Sequence, residues 1–184
     1  MKFEYVISGL TMGIDDLYYN AEVAKPYIHH MNQKIQDMNN KYDNQNMSIL
    51  YNALTEKRHG ITMTDTMSHS WHRIFADSGG LQLARTPTKN TPQERDKVFE
   101  HQAEYSDVAM IFDEIPIEYD LTLTGGNSMK ASLVGRRFVR DDVVKTAEAT
   151  RDNVKRQIEI FKQKDSKSKI MLISQGQDVD SWRL

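Results

Sequence analysis

The sequence predicts an α/β protein in which helices cover a parallel β-sheet. Short apolar runs of four or five residues, such as 108–112 and 170–173, recur along the chain and are typical of strands buried on both faces. The later runs alternate with amphipathic segments long enough to be helices. This alternation indicates βαβ units, whose crossovers favour neighbouring parallel strands.

Five segments are predicted to be strands. The first alternates polar and apolar residues, with Phe3, Tyr5 and Ile7 on one side. The others are short and more continuously apolar, which suits a buried parallel sheet. The five predicted strands are Lys2–Ser8, Ser48–Leu54, His72–Ala76, Asp107–Phe112 and Lys169–Ser174.

Three longer segments are predicted to be helices. The first extends from about Leu17 to Asn40 and carries apolar residues at helical spacing. The second has a clear start, because Thr91 can cap it, Pro92 suits its first position and Glu94 completes a capping box. This second helix is expected to end near Tyr105.

The third helix is predicted from Asp141 to about Lys164. Its acidic opening suits the positive end of the helix dipole. Its predicted buried face consists of Val143, Ala147, Thr150, Val154, Ile158 and Phe161. A long loop, Asp113–Arg140, precedes this helix, and loops of that length within a domain are usually functional or mobile.

Length and composition limit the kind of protein. The chain of 184 residues corresponds to one domain, 1–184, and it contains no cysteine. Disulfide scaffolds, cysteine nucleophiles and thiolate zinc sites are therefore excluded within this chain. Met1–Leu10 lacks the apolar core of a signal peptide, and no apolar window is long enough for a membrane span. We therefore expect a cytoplasmic protein without a membrane partner.

The charge of the chain is unevenly distributed. The overall net charge is −2, but the stretch Lys130–Lys169 contains 12 basic and 6 acidic residues. Such a stretch can face the phosphates of a nucleic acid, or it can be a solvated helix face. Arg136, Arg137 and Arg140 are the best phosphate-binding candidates because they lie in or beside the long loop.

Polar residues follow three of the predicted strands directly. Because the carboxyl ends of parallel strands meet at one rim, where ligands bind in α/β folds, we expect these residues to converge. Glycines among them would let a flat ligand approach the backbone closely. The three groups are Asp77-Ser78-Gly79-Gly80, Asp113-Glu114 and Gln175-Gly176.

Such a rim supports two kinds of chemistry. Two carboxylates and an amide can read the hydrogen-bonding edge of a purine-like ring, and a carboxylate can also serve as general acid, base or nucleophile at an anomeric carbon. The alternative is a divalent metal site formed by Asp77, Asp113 and Glu114.

The motifs at this rim resemble those of the tRNA-guanine transglycosylases. Residues 75–82, FADSGGLQ, are similar to the family's DSGGFQ motif, and residues 110–114, MIFDE, are similar to its strand ending in FDE. Residues 173–176, ISQG, resemble its QGG segment, and 178–183 resemble the residues that follow it. The resemblance covers about Arg73–Leu184.

The resemblance implies a (β/α)8 barrel that exchanges guanine in a polynucleotide for a 7-deazaguanine base, such as preQ0 or preQ1, through a glycosyl-enzyme intermediate. Asp77 would handle protons near the base as the catalytic carboxylate. Asp113 would hold the N1–H and amine edge of the ring, and Gln175 with Gly176 would contact its carbonyl. Ser78, Gly79 and Gly80 would complete the substrate-binding site.

Departures from the family pattern favour its DNA-modifying branch, found in phages and genomic islands. Leu81 replaces the usual Phe, Gln177 replaces the second Gly of QGG, and the long loop differs in sequence. DNA is thus the expected substrate and tRNA the alternative, in the host cytoplasm if the gene is phage-encoded.

The predicted strands amount to a partial barrel of about five parallel strands, whereas a full barrel takes about 250 residues. The nucleophile and the zinc site of the family would lie in the missing C-terminal part, so this chain is expected to hold no metal or cofactor. A complementary C-terminal chain or a second copy of this chain is an expected partner. Two other functions stay open: a non-catalytic module that binds 7-deazaguanine or a partner, and a metal-dependent barrel enzyme.

Overall fold

The computed structural model describes residues 3–8, 29–30, 33–34, 36–38, 40–41, 45–56, 72–84, 89–114, 119–120, 132–133 and 140–173. Within these residues the chain forms an α/β fold around a sheet of five parallel strands. The predicted fold class is therefore confirmed at the level of a parallel α/β sheet.

The five strands of the main sheet lie in the same order as in the sequence. Each strand pairs in parallel with the next one along the chain, so the order contains no reversal. In chain order they are β1 (Phe3–Ser8), β2 (Gln45–Asn52), β3 (Ile74–Asp77), β4 (Val108–Met110) and β7 (Lys169–Met171). The two strands between β4 and β7 along the chain, β5 (Tyr119–Asp120) and β6 (Ser132–Leu133), form a separate sheet. Right-handed crossovers between strands arranged in this way place successive helices on one face of the sheet.

Four helices have described bounds, and two of them are long. The short helices α1 (Ala53–Glu56) and α2 (Gly80–Ala84) follow β2 and β3 directly. The long helices are α3 (Pro92–Tyr105) and α4 (Arg140–Gln163). The Thr91 hydroxyl accepts a hydrogen bond from the Glu94 N–H at 3.2 Å, which confirms the predicted cap of α3.

The hydrophobic core lies between the sheet and the two long helices, which pack against each other. Alternate strand residues face this layer, as expected from the two-residue period of a strand. The core residues of the strands are Ile49, Tyr51, Ile74, Ala76 and Ala109, and those of α3 and α4 are Val98, Phe99, Ala103, Ile160 and Phe161. This packing covers one face of the sheet and holds its strand ends in place.

The opposite face of the sheet carries apolar residues that are only half-buried. Leu50, Phe75 and Val108 occupy neighbouring positions there through the strand register. The edge strand β1 and the residue after β7 are more open still, since Val6 is 44% exposed and Leu172 is 71% exposed. This face and the two edges of the sheet are therefore less covered than the face that packs against α3 and α4.

Several predicted boundaries differ from the observed ones. The second predicted strand, Ser48–Leu54, was placed too late, because strand pairing covers Gln45–Asn52 and Leu54 already belongs to α1. Pairing in β4 and β7 also stops before the predicted ends. In the first predicted helix, residues with helical structure are described between 29 and 41, and residues 17–28 lie outside the described part.

The segment Asp113–Arg140, predicted as one long loop, contains regular structure. Strands β5 (Tyr119–Asp120) and β6 (Ser132–Leu133) pair antiparallel within it. Arg140 is the first residue of α4 rather than a loop residue. The insertion between β4 and α4 therefore includes a two-stranded antiparallel sheet.

The buried face of α4 differs from the predicted one. Asn153 and Gln157 are buried in the core, whereas Ile158, which was predicted to be buried, is 37% exposed. Phe161 of the predicted face is buried, as expected, but Asn153, Gln157 and Ile160 fill the neighbouring buried positions instead of Val154 and Ile158.

None of the helices in the described segments is both long and apolar enough to cross a bilayer.

Candidate functional site

The ends of three neighbouring strands bring together three polar side chains. Asn52 ends β2, Asp77 ends β3, and the sheet register places these two residues side by side. Asn52 Nδ2 donates a hydrogen bond to Asp77 Oδ2 at 3.3 Å. Asp113 follows β4, the next strand of the sheet. The structure thus brings the two predicted carboxylates to one rim.

Asn52 is a site residue that the sequence analysis missed. Its Oδ1 accepts the N–H of Leu54 at 3.0 Å, so it caps the start of α1 while its amide group faces Asp77. A signal was present, because Asn52 follows the apolar run Ile49–Tyr51 just as Asp77 follows Ile74–Ala76. Extending the predicted strand to Leu54 concealed this strand end.

The loop after β3 fits tightly between the neighbouring strand ends because it contains two glycines. Gly79 has a φ of +74°, and a Cβ atom at this position would lie 2.6 Å from Leu54 Cβ. A Cβ atom on Gly80 would lie 2.9 Å from the backbone oxygen of Asp113 and 3.5 Å from its Oδ1. The glycines therefore let the Asp77 loop approach Asp113 closely.

Both carboxyl groups are held in surroundings that disfavour their charge. Burial raises the pKa of Asp77 above its ordinary value, and hydrogen bonds from the backbone N–H groups of Gly79 and Ser78 partly offset this effect. Burial also raises the pKa of Asp113, and the nearby charges of Asp77 and Glu114 raise it further. Two acids with raised pKa values on one rim are suited to proton transfer.

The raised pKa of Asp113 predicts a pH-dependent cost in stability. Because the folded protein disfavours the charged carboxyl, the free energy of unfolding should fall as pH rises from the ordinary pKa of 3.8 through the folded value. We therefore expect Asp113→Asn to be more stable than the parent protein at pH 7. The difference should disappear at about pH 3.5. Urea unfolding at several pH values measures it.

The control for this measurement is Asp165→Asn. Asp165 is 91% exposed in its side chain and has a φ of +48°, a conformation that asparagine also tolerates. This variant should match the parent protein at every pH. A destabilised Asp113→Asn at pH 7 would contradict the expected sign.

Glu114 faces the helices, although it directly follows Asp113. Its backbone N–H donates to Thr150 Oγ1 at 2.8 Å, and its Oε1 accepts from Asn153 Nδ2 at 3.3 Å. Arg95 Nη1 of α3 lies 3.8 Å from the same Oε1. The Glu114 carboxylate is therefore engaged by α3 and α4.

This engagement weakens the alternative of a metal held by Asp77, Asp113 and Glu114. Among the described residues, no group of three or more acidic or histidine side chains is arranged to hold a metal ion. Asp113 and Glu114 are consecutive residues and Asp77 ends the neighbouring strand, but the Glu114 carboxylate contacts Asn153 and Arg95 of the helices instead.

The remaining predicted site residues fall into two groups. Ser78 is buried next to Asp77, and its Oγ accepts the Gly80 N–H at 3.4 Å, so it shapes the glycine loop. The positions of Gln175, Gly176, Arg136 and Arg137, and the side chain of Arg140, lie outside the described residues. Their predicted roles stay predictions.

No protein-family model, curated protein or solved structure matches this chain.

Proposed function

We propose that this chain belongs to a transglycosylase that exchanges guanine in a polynucleotide for a 7-deazaguanine base. The observation that carries the proposal is the contact between the Asp77-Ser78-Gly79-Gly80 loop and Asp113 at the ends of adjacent parallel strands. The sequence motifs that resemble the tRNA-guanine transglycosylases are the same residues that meet in this contact.

The strand order supports a (β/α)8 barrel as the complete architecture. Five parallel strands follow one another across the sheet in sequence order, which is how barrel strands are arranged. A doubly wound sheet instead reverses its order at a switch point. The half-buried apolar face carrying Leu50 and Phe75 would then be the barrel interior, completed by further strands from a complementary chain or a second copy.

Asp113 is the proposed recognition group for the purine edge. A carboxylate has two oxygens that can accept the N1–H and the exocyclic amine of guanine together. Gly79 and Gly80 let the loop after Asp77 pack closely against Asp113, which keeps the two carboxyl groups on the same rim. Gln175 and the backbone of Gly176, which follow β7 along the chain, are proposed to donate to the ring carbonyl.

Asp77 is the proposed acid and base of the exchange. An aspartate from the complementary part would attack the anomeric carbon while the bond to guanine breaks, and a proton must reach the departing base. The incoming base then displaces that aspartate and gives up its N9 proton. Asp77 lies beside Asp113, and burial raises its pKa, which favours the protonated form and suits a carboxyl group that takes up and returns this proton.

DNA is the proposed polynucleotide, with tRNA as the alternative, and binding either one requires basic residues that can contact its phosphates. Several basic residues of α4 already serve in ion pairs, since Arg156 binds Asp96 at 2.8 Å and both Arg151 and Lys155 lie near Asp152. That part of the basic stretch therefore behaves as a solvated helix face. We assign phosphate binding to Arg136, Arg137 and Arg140, near the start of α4.

Labelled guanine tests the proposal. The protein, together with the part that supplies the remaining strands and the nucleophile, is incubated with the labelled base and either duplex DNA or unmodified tRNA. The incubation is done with and without a chelator, and the label retained in the polymer is counted. Binding of free guanine is measured by calorimetry in parallel. Label that is retained in DNA in the presence of the chelator supports the proposal. Label that is retained in tRNA alone would mean that the substrate is tRNA rather than DNA.

The alternatives give different results in the same experiment. Guanine binding without exchange, even with any partner chain present, would favour a non-catalytic binding module that uses the same rim. Exchange that survives exhaustive chelation would remove the alternative of a metal-dependent enzyme. Absence of both binding and exchange would overturn the proposed function.

A further inference from the structure

Helix α4 carries a row of polar side chains that contacts the chain around Asp113. Thr150, Asn153 and Gln157 are spaced three and four residues apart, so they lie on one face of the helix. We name this row the polar stripe. It faces the core, where Asn153 is 8% exposed and Gln157 is fully buried.

The polar stripe binds alternate residues of one extended segment. Gln157 Nε2 donates to Met110 O at 3.3 Å, and Asn153 Nδ2 donates to Phe112 O at 3.4 Å. The Glu114 N–H donates to Thr150 Oγ1 at 2.8 Å. Alternate residues of an extended chain direct their backbone groups to the same side, which explains the match between stripe and segment.

This contact holds the chain beyond the end of the sheet. The last paired residue of β4 is Met110, and the Ile111 N–H donates to Met171 O at 3.2 Å. Asp113 follows two residues later, between two residues that the stripe binds. We propose that Thr150, Asn153 and Gln157 are positioning residues that fix the backbone on both sides of Asp113, so that helix α4 orients the Asp113 carboxylate.

The chemistry of the stripe supports a role beyond stability. Buried amides are costly unless they are hydrogen-bonded, and apolar residues would serve the core at these positions. Among the described residues, the buried Gln157 Oε1 has no hydrogen-bond partner. Gln157 Nε2 also donates to Gln102 Oε1 at 2.8 Å, and Gln102 Nε2 donates to the backbone oxygens of Ala76 and Met110. The same network therefore reaches the residue before Asp77.

Three substitutions on α4 test the inference. Thr150→Val keeps the shape but removes the hydroxyl, Thr150→Ser keeps the hydroxyl, and Asn153→Leu removes both of its contacts. One lost hydrogen bond contributes about 0.5–1.5 kcal/mol, so Thr150→Val should raise the Kd for guanine about 2- to 10-fold. Asn153→Leu should raise it about tenfold or more, and Thr150→Ser should restore affinity to within about twofold.

A control separates positioning from general loss of stability. Ile160→Val removes one buried methylene from the core side of the same helix, which should lower the melting temperature without changing the Kd for guanine. Guanine affinity that followed melting temperature across all four variants would overturn the inference.

A second readout does not depend on ligand binding. The affinity measurement rests on the proposed function, whereas the ¹³C signal of the Asp113 carboxyl and the exchange rate of the Glu114 amide do not. Thr150→Val should accelerate exchange of the Glu114 amide, and Asn153→Leu should shift the Asp113 carboxyl signal. If the parent protein does not bind guanine, these two signals decide the inference, and unchanged signals in both variants overturn it.

Discussion

Asp113→Asn is expected to weaken guanine binding by about 10²- to 10⁴-fold, because one charge-assisted hydrogen bond of about 1.5–3 kcal/mol is lost, the other loses its charge and a ring donor is left unpaired. The carboxylate accepts two N–H donors of the purine edge at once. Asparagine offers one acceptor and turns an amide group towards the second donor, so one donor of the ring is left unpaired and buried. Calorimetric titration with guanine at pH 7 measures the effect.

The fold of this variant must be shown to be intact. Asp113→Asn should be at least as stable as the parent protein at pH 7, since it removes a buried charge. Loss of affinity together with equal or higher stability identifies a binding group rather than a structural one. Asp165→Asn, far along the chain and exposed, should bind guanine normally. Undiminished binding by Asp113→Asn would remove Asp113 from the site.

Gly79→Ala is expected to cause the largest loss of stability among single substitutions at the rim. The φ of +74° costs a residue with a Cβ about 1–2 kcal/mol. The added methyl group would also lie 2.6 Å from Leu54 Cβ and 3.1 Å from Asn52 Oδ1, and such overpacking costs about 1–3 kcal/mol more. Together these effects amount to about 2–5 kcal/mol, measured by urea unfolding.

Two neighbouring substitutions make the result specific. Leu81→Ala, at a residue 38% exposed in helix α2 directly after this loop, should change the free energy of unfolding little. Gly80→Ala introduces no positive-φ strain, but its methyl group would lie 2.9 Å from Asp113 O, so it should displace Asp113 and reduce guanine affinity. A Gly79→Ala protein as stable as the Leu81→Ala control would show that the loop relaxes without cost.

Local features of the fold were predictable because neighbouring residues produce them. The Thr91 cap and Pro92 mark the start of α3, and the apolar runs around Ile74 and Ala109 mark strands. Each depends on the backbone conformation and burial of a few consecutive residues. Strand ends were less predictable, since pairing stops where the neighbouring strand diverges, as at Met110 and Met171.

The candidate site was predictable in part. Asp77 and Asp113 were identified because each follows an apolar run, and the parallel sheet places both at one rim. Asn52 was missed although it occupies the corresponding position of β2. Glu114 was assigned to the rim as a metal ligand, yet its carboxylate faces Asn153 and Arg95. Adjacent residues of an extended segment point to opposite sides, and only packing decides which partner each finds.

The sequence by itself determined where the strands of the main sheet and the two long helices lie, and it placed two acids after strands. Only the tertiary structure decided what holds those acids in place. Asn153 and Gln157 look like surface residues of an amphipathic helix, yet they are buried and bind backbone oxygens 41 and 47 residues away in the chain. A buried amide must find a hydrogen-bond partner, and which partner is within reach depends on how α4 packs on the sheet rather than on any local pattern.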